Sequence, residues 1–281
     1  MANQLNTDHL PGPGTDQGPV ITVVTVCRNA ASNIEKTIQS VLWQDYEGLE
    51  YVVIDGMSTD GTWEIVQRYR DRIAILRHEP DTGIYNAMNK AIGLSTGEAM
   101  IFMNADDYFV SPYVLSRVAA VLDEDRAVDI IYGDYLWDSG TEMRYNAQPA
   151  RVSRKYFLTI NPSIMHQAMF CRRRAFDKVG RFDEAGLRIA ADKDWNIRAF
   201  LVARLPYLHM PLIVSTSRHG GYSTVAAAEL AREKKLIEAR YFSRAERAYH
   251  RVWRVAYRLR VRLRTRDFSL PRFLRPNRGK P

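Results

Sequence analysis

Residues 20–27 read Val-Ile-Thr-Val-Val-Thr-Val-Cys, an almost wholly apolar run that is rich in β-branched side chains. Such a run predicts a β-strand that is covered on both faces, as strands in parallel sheets are. Apolar residues then recur at helical spacing over 31–43, and a second apolar run follows at 51–54. A strand, a helix and a second strand are therefore predicted in succession.

The alternation of strands and helices continues along the chain. Helical patterns at 62–69 and 84–94 separate further short apolar runs at 73–76 and 99–103. Alternating units of this length build a parallel sheet with helices on both faces. Beyond this part we expect a helix at 114–122, a strand at 129–132 and an irregular stretch at 133–163. A strand at 168–171, a helix at 192–202 and a late strand at 212–216 should follow.

Polar residues that can bind ligands or take part in catalysis follow the predicted strands directly. In parallel sheets, ligands bind beyond the carboxyl ends of the strands. We therefore expect the functional residues at Arg28 and Asn29, at Asp55, and at the pair Asp106 and Asp107.

Asp106 and Asp107 are adjacent carboxylates directly after the run at 99–103. Two buried carboxylates repel each other and need a counter-cation. Mg²⁺ or Mn²⁺ bridging a diphosphate would supply that charge, because both ions prefer oxygen ligands. The alternative interpretation is that the pair caps the helix predicted after Pro112.

Asp55 ends the second predicted strand, where a carboxylate of a dinucleotide-type sheet is placed to bind a nucleoside. The Ser-Thr-Asp-Gly-Thr segment at 58–62 predicts a turn and the start of the next helix. We interpret Asp55 as functional and Asp60 as mainly structural.

Several classes of protein find no support in the sequence. The two cysteines, Cys27 and Cys171, both fall in apolar runs, so neither a disulfide framework nor a zinc cluster is predicted and a reducing cytoplasm is the simplest compartment. Neither a Gly-x-Gly-x-x-Gly nor a P-loop pattern occurs, which argues against a nicotinamide enzyme or an NTPase.

The two ends of the chain differ from the middle in composition. Residues 1–19 are polar and rich in Gly and Pro, which predicts a disordered leader without a signal-peptide core. No apolar run approaches the roughly 20 residues that span a bilayer. From residue 232 onward, 17 Lys/Arg stand against four acids, so this stretch carries +13 and the preceding residues carry −5.

Residues 226–281 predict a basic amphipathic helical tail. Apolar side chains recur at helical spacing at Phe242, Tyr249, Val252, Trp253 and Leu259. Arginines recur on another face at Arg244, Arg247, Arg251, Arg254 and Arg258. An aromatic face beside an arginine face is typical of a helix at an anionic membrane surface. The alternative is a helix that docks on the catalytic domain or on a second subunit.

Taken in order, the motifs of the chain resemble those of family-2 glycosyltransferases of the GT-A fold, above all bacterial enzymes of exopolysaccharide and glycolipid assembly. The resemblance rests on residues 23–29, 53–62, 83–90, 95–98 and 102–107 and covers about residues 20–223. It implies a Rossmann-like α/β catalytic domain at 20–225, with a mixed, mainly parallel sheet and helices on both faces.

The resemblance also implies roles for individual residues. Positions that match donor-binding positions of the family are Cys27, Asn29, Asp55, Asn89, Asp106, Arg218 and His219. Asp107, together with Asp106, matches the metal-binding signature, which implies Mn²⁺ or Mg²⁺ as cofactor. Asn104 and Asn86 stand where relatives often carry an acid, so no acidic role is transferred to them.

Asp192 matches the general base of the family, with Asp194 as second choice. An inverting transfer needs a base to take the proton of the acceptor hydroxyl. The alternative for both residues is helix capping, because acids favour the first turn. For His166 and His219 there are two alternatives, a direct role in the site and a structural role.

The expected function is inverting, metal-dependent sugar transfer from a nucleotide diphosphate, with UDP the commonest nucleotide in the family, to a hydroxyl of a glycan, lipid-linked or other acceptor. We expect a cytoplasmic enzyme whose tail meets the inner face of the cytoplasmic membrane. A nucleotidyltransferase, which also uses a carboxylate pair with metal, and a basic nucleic-acid-binding protein are the alternatives. The confinement of the basic charge to the tail argues against a nucleic-acid partner.

Overall fold

A computed structural model describes residues 18–158, 163–218 and 226–253, so most of the predicted leader and the distal part of the predicted tail lie outside the described residues. The first part of the domain alternates strands and helices as predicted: β1 (Ile21–Cys27), α1 (Ile34–Leu42), β2 (Leu49–Asp55), α2 (Thr62–Gln67), β3 (Ile75–His78), α3 (Ile84–Leu94) and β4 (Ala99–Phe102). These strands are parallel, with β2 and β4 on either side of β1 and with β3 beyond β2.

The second part of the domain brings antiparallel strands into the same sheet. Its elements are β5 (Tyr108–Phe109), α4 (Val114–Glu124), β6 (Ile130–Asp138), β7 (Met143–Asn146), α5 (Arg154–Leu158), β8 (Met169–Arg172), α6 (Arg173–Val179), α7 (Ala191–Ile197) and β9 (Tyr207–Arg218). Within the described ranges, the sheet has the order β3-β2-β1-β4-β8-β6-β9-β5, and β7 pairs with β6 outside this path. β8 runs antiparallel to β4 and β6, whereas β9 is parallel to β6. The predicted fold class, an α/β domain with a mixed sheet, is confirmed.

Each face of the sheet has its own hydrophobic core, and β1 contributes to both. Every residue of β1 is buried, as its apolar run predicts. Because side chains alternate along a strand, Val24 and Val26 pack with residues of α3 and α7 on one face, whereas Val23 packs with residues of α1 and α4 on the other.

The stretch expected to be irregular, 133–163, contains a β-hairpin. β6 continues to Asp138 and returns as β7 after a turn in which Gly140 has a φ of 84°. Most of β7 is exposed, so its sequence lacks the apolar run by which a buried strand is recognised. This is why the sequence did not predict β7.

Helix α8 (Ala227–Tyr241) lies against the domain formed by the preceding elements. Glu233 has no exposed surface and Ile237 is 1% exposed. Ile237 and the following Phe242 belong to the core that also contains Trp195 of α7. The proximal part of the predicted tail is therefore docked on the domain that it follows.

A second helical stretch, over 244–253, follows α8. An ion pair of 2.8 Å between Arg154 Nε and Glu246 Oε1 connects it to α5. Tyr249 and Val252 are 66% and 71% exposed. The apolar face predicted for the tail is thus divided between the core and the solvent. Within the described ranges, no helix has both the length and the apolar character needed to cross a membrane.

Candidate active site

A cleft of about 480 Å³ opens at the carboxyl end of β1. One wall is the turn at 27–29, and the opposite wall is the start of α3 with the residues before it, 81–87. Glu184, Leu187 and Arg188, from the loop that precedes α7, complete the lining. The volume is in the range of sites that bind small molecules.

Asn29 shapes the turn after β1. Its φ of 51° lies in the left-handed region, which asparagine adopts more readily than most residues. The backbone N–H of Asn29 donates to Ser58 Oγ at 2.8 Å, and its side-chain oxygen accepts the N–H of Thr59 at 2.9 Å. Asp60 accepts the N–H of Ala31 at 3.0 Å, which is the structural role expected of it. Asn29 therefore lines the cleft while joining the turns after β1 and β2.

Asp55 is fully buried at the end of β2. Its Oδ2 lies 2.6 Å from His78 Nδ1 and accepts the N–H of Ser58 at 2.9 Å, and the hydroxyl of Ser58 donates to Oδ1 at 2.5 Å. Trp63 stacks on the His78 ring at 4.3 Å between centroids. Because the carboxylate has no exposed surface, direct contact with a donor base requires His78 or Ser58 to shift.

Cys27, another predicted donor-binding residue, lines the cleft beside Asp55. Its Sγ lies 3.4 Å from Asp55 Oδ1. Burial, and then the charge of Asp55, raise the pKa of the Cys27 thiol well above its usual value. Cys27 is therefore a neutral thiol that can donate a weak hydrogen bond to the carboxylate.

Asp106 and Asp107 occupy the turn that follows β4. Burial raises the pKa of Asp106, and burial together with the charge of Asp106 raises the pKa of Asp107 well above its usual value. Asp107 is 5% exposed. The pair fits a cationic ligand, because a bound cation removes the cost of ionising a buried and a partly buried carboxyl side by side.

Two further observations bear on a metal ion at this turn. Asn104 Oδ1 is buried without a hydrogen-bond partner among the described residues, so it is a third oxygen available there. The described part of the chain contains no group of three or more His, Cys, Asp or Glu that could hold a metal ion on its own. The residues therefore fit Mn²⁺ or Mg²⁺ whose coordination is completed by phosphate oxygens of a donor.

Arg218 lies at the end of β9, beside the carboxylate pair. Its positive charge acts to lower the pKa of Asp106, although burial outweighs this effect. Its guanidinium also donates to the side-chain oxygen of Asn33, before α1. His219, predicted to act with Arg218, lies outside the described residues.

Asp192 stands in the first turn of α7 and is contacted by three side chains. The Tyr85 hydroxyl donates to Oδ1 at 2.9 Å, and the Ser163 hydroxyl lies 3.4 Å and His166 Nδ1 3.9 Å from Oδ2. Burial acts to raise the pKa of Asp192, but His166 and Tyr85 outweigh it, so the pKa lies below its usual value. The carboxylate is 18% exposed and ionised at neutral pH, as a general base must be.

His166 connects Asp192 with the carboxylate turn. Its Nε2 lies 2.9 Å from the side-chain nitrogen of Asn104, two residues before Asp106. The other ring nitrogen, Nδ1, lies 3.9 Å from Asp192 Oδ2. The structure thus places the predicted base and the predicted metal turn at the two ends of one imidazole.

Asp194, the second choice as base, has a structural environment. It is 1% exposed, and its carboxylate forms ion pairs of 2.8 Å with Arg198 and 2.9 Å with Arg240. It also accepts the hydroxyl of Tyr241 at 2.8 Å. Both carboxylate oxygens are held by these protein groups, so the role of Asp194 as second-choice base stays a prediction.

Asn89, predicted to bind the donor, is buried in α3 and bonds to the protein instead. Its amide pairs with the N–H and the C=O of Phe182, each at 3.0 Å, and donates to Glu184 at 2.7 Å. Asn86 donates to the other Glu184 oxygen at 3.1 Å. The two asparagines therefore orient Glu184, a cleft residue that the sequence did not single out.

Comparison with known proteins identifies the class of enzyme. The model of glycosyl transferase family 2 matches residues 22–180. A PGL/p-HBAD biosynthesis glycosyltransferase of Mycobacterium bovis is 32% identical over 212 residues, which are 73% of this chain and 79% of the relative. The Escherichia coli UDP-Glc:alpha-D-GlcNAc-diphosphoundecaprenol beta-1,3-glucosyltransferase WfaP is 27% identical over 117 residues, 41% of this chain and 46% of that protein.

Solved structures share the fold. Residues 1–349 of S. aureus TarS, in complex with UDP-GlcNAc, superpose with a TM-score of 0.62 at 21% identity, covering 82% of this chain and 69% of that one. The mannosyltransferase PcManGT of Pyrobaculum calidifontis, in complex with GDP-Man and Mn²⁺, superposes with a TM-score of 0.57 at 20% identity, covering 80% and 66%.

The mixed sheet, the cleft at its strand ends and the carboxylate turn after β4 define a glycosyltransferase of the GT-A fold. Because the family model matches more than half of the chain, the chain belongs to glycosyl transferase family 2. Family membership decides against the alternatives of a nucleotidyltransferase and a nucleic-acid-binding protein.

Proposed function

We propose that the enzyme transfers a sugar, with inversion, from a nucleotide diphosphate to a hydroxyl of a glycan or lipid-linked acceptor. The observation that carries this proposal is the connection of Asp192, through His166, to the turn of Asp106 and Asp107. The base that would act on the acceptor and the carboxylate pair that would hold the diphosphate of the donor thereby belong to one site.

Asp192 acts as the general base in the proposed reaction. Its lowered pKa keeps the carboxylate ionised, so it can accept the proton of the acceptor hydroxyl. The oxygen then attacks the anomeric carbon in line with the bond to the leaving diphosphate. A single displacement of this kind inverts the configuration of the sugar.

Asp106 and Asp107 would hold Mn²⁺ or Mg²⁺, which supplies positive charge to the leaving diphosphate. Arg218, next to this turn, is placed to add a guanidinium on the same side. The cleft walls at 27–29 and 81–87 would hold the nucleoside.

UDP is the nucleotide that we propose for the donor. WfaP uses UDP-Glc by name, and TarS was solved with UDP-GlcNAc, although PcManGT was solved with GDP-Man. Specific binding to the native state raises the melting temperature. We therefore expect UDP with Mn²⁺ to raise the melting temperature more than GDP or dTDP, and UDP without metal to raise it less.

We propose a lipid-linked acceptor because WfaP acts on diphosphoundecaprenol-linked GlcNAc and the mycobacterial relative serves PGL/p-HBAD biosynthesis. The basic residues after Trp253 would hold the enzyme at the cytoplasmic face of an anionic membrane.

Nucleotide-sugar consumption with and without an acceptor tests the proposed reaction. We expect UDP release from a UDP-sugar that depends on Mn²⁺ or Mg²⁺ and increases with a lipid-linked acceptor, and a product of inverted anomeric configuration by NMR. Retained configuration, or release that EDTA leaves unchanged, would contradict the proposal.

A further inference from the structure

We propose that Glu233 is a positioning residue of the active site: from helix α8 it holds the backbone segment that carries Asp192. This inference rests on the proposed role of Asp192 as the base. It makes α8 a constituent of the catalytic unit, although the sequence assigned the residues from 226 onward to a separate tail.

Three backbone hydrogen bonds converge on the Glu233 carboxylate. Oε1 accepts the N–H of Arg188 at 2.7 Å, and Oε2 accepts those of Ile189 and Ala190, both at 2.9 Å. Glu233 is 0% exposed. Hydrogen bonds from N–H groups to a buried carboxylate are stronger than neutral ones, so this contact fixes the segment closely.

The three N–H groups belong to the residues directly before α7. The first N–H groups of a helix lack partners within it, and a side chain from the N-cap residue usually accepts one of them. Here the N-cap is Ala190, which has no side-chain acceptor. Glu233 instead holds the three residues that lead into α7, the N-cap Ala190 included, and its negative charge suits the positive end of the helix.

The contact reaches the base through Ile189 and Tyr85. Ile189, whose N–H is held by Glu233, offers its carbonyl oxygen to the Tyr85 hydroxyl at 2.8 Å, and the same hydroxyl lies 2.9 Å from Asp192. A displacement of Ile189 would therefore alter both the place of Asp192 and the hydrogen bond that helps to ionise it.

A second set of contacts from α8 holds the chain on both sides of this segment, at Asp183 and at Asp194. Arg240 pairs with Asp183 at 3.1 Å and with Asp194 at 2.9 Å. The cleft-lining residues Glu184 and Arg188 lie between these two anchors. Helix α8 thus supports one wall of the cleft as well as the base.

The variant Glu233→Gln in the full chain tests the inference. Glutamine has nearly the same shape but one acceptor oxygen, and its amide NH₂ would face a backbone N–H. The matched control is Glu229→Gln, one helical turn earlier, where the exposed side chain pairs with Arg232 at 2.6 Å. Readouts are kcat, the pH dependence of kcat, the melting temperature, and the dissociation constant of UDP with Mn²⁺.

In Glu233→Gln we expect kcat to fall about 10- to 100-fold, because small displacements of catalytic groups have effects of this size. The acidic limb of its pH profile should move to higher pH, whereas UDP binding should stay close to that of the wild type. Glu229→Gln should match the wild type throughout.

Two results would overturn the inference while leaving the proposed function intact. One is a Glu233→Gln enzyme with the kcat and pH profile of an active wild type. The other is a loss of activity that follows the melting temperature without any movement of the acidic limb, which would indicate packing alone. A wild type without transferase activity on any UDP-sugar would overturn the proposed function and, with it, this inference.

Discussion

The hydroxyl of Tyr85, in the first turn of α3, lies 2.9 Å from the carboxylate of Asp192, in the first turn of α7. Burial, and then the charge of Asp192, raise the pKa of Tyr85 well above its usual value. The hydroxyl therefore stays protonated and acts as a donor at all accessible pH values. This single contact relates the Gly-Ile-Tyr motif at 83–85 to the proposed base.

Tyr85→Phe should move the acidic limb of the kcat profile to higher pH. Burial raises the pKa of Asp192, and His166 and Tyr85 together lower it below its usual value. When the Tyr85 donor is lost, the effect of burial is counteracted less strongly, so the pKa of Asp192 rises. The base is then protonated at a higher pH. Steady-state rates between pH 4 and 9 measure the shift, with Tyr113→Phe, at a side chain 54% exposed, as the control. An unmoved limb would show that Tyr85 does not act on the base.

Asp192→Asn should lower kcat by about 10²–10⁴-fold, the usual contribution of a general base. Asparagine keeps the shape and can still accept from Tyr85, so UDP binding with Mn²⁺ should be nearly unchanged. Calorimetry for binding and a UDP-release assay for turnover separate the two effects. A parallel loss of both would indicate that Asp192 binds the donor or supports the fold.

Asp107→Ala should abolish the stimulation of UDP binding by Mn²⁺ while the protein remains folded. The reason is that Asp107 and Asp106 are the carboxylates available to a cation at the turn after β4, and burial raises the pKa of both. Titrations of UDP with and without Mn²⁺, together with a circular dichroism spectrum, measure this. Metal-stimulated binding that survives in the variant would remove Asp107 from the proposed metal site.

Asp194→Asn should destabilise the protein and lower kcat far less than Asp192→Asn does. The change leaves Arg198 and Arg240 without the buried carboxylate between them. Removing one partner of a buried hydrogen-bonded group costs about 1–3 kcal/mol of unfolding free energy. Urea denaturation gives that value, and kcat per nucleotide-binding site gives the chemistry. A large loss of kcat at unchanged stability would return Asp194 to the role of a catalytic residue.

The sequence predicts the elements whose burial is periodic and misses the contacts that are distant along the chain. Helix α3 was predicted with both of its observed ends, 84–94, because its apolar positions recur regularly. The structural role of Asp194 depends on Arg240, 46 positions away, and that of Asn89 on Phe182, 93 positions away. No local pattern reveals which acid or amide will meet such a partner, so a family motif alone assigned both residues to the site.

In the tail, the sequence pattern likewise does not reveal which helix residues face the core and which face the solvent. Aromatic and apolar residues at helical spacing define a face but not what covers it. In the structure, Phe242 faces the core at 3% exposure, whereas Tyr249 faces the solvent at 66%. Glu233 gave no signal in the sequence, because a carboxylate on a basic helix resembles any other surface charge.

The final prediction is that the residues after Trp253 attach the enzyme to anionic membranes and are not needed to bind the donor. They contain ten Lys/Arg against one acid, Asp267. Each basic residue near an anionic surface contributes about 1 kcal/mol, so several of them can retain the domain there. A chain that ends at Trp253 keeps α8 with Glu233, and should therefore bind UDP like the full chain.

Sedimentation with vesicles that contain phosphatidylglycerol distinguishes the two forms of the protein. The full chain should sediment with these vesicles and not with purely zwitterionic ones, and the shortened chain with neither. Raising the salt from 0.1 M to 1 M shortens the Debye length from about 10 Å to about 3 Å, so the full chain should be released. If these residues instead served a second subunit, the shortened chain would change its oligomeric state and vesicles would retain neither form. Equal sedimentation of both forms would place membrane binding in the domain itself, for which the exposed Tyr249 and Val252 are the candidates.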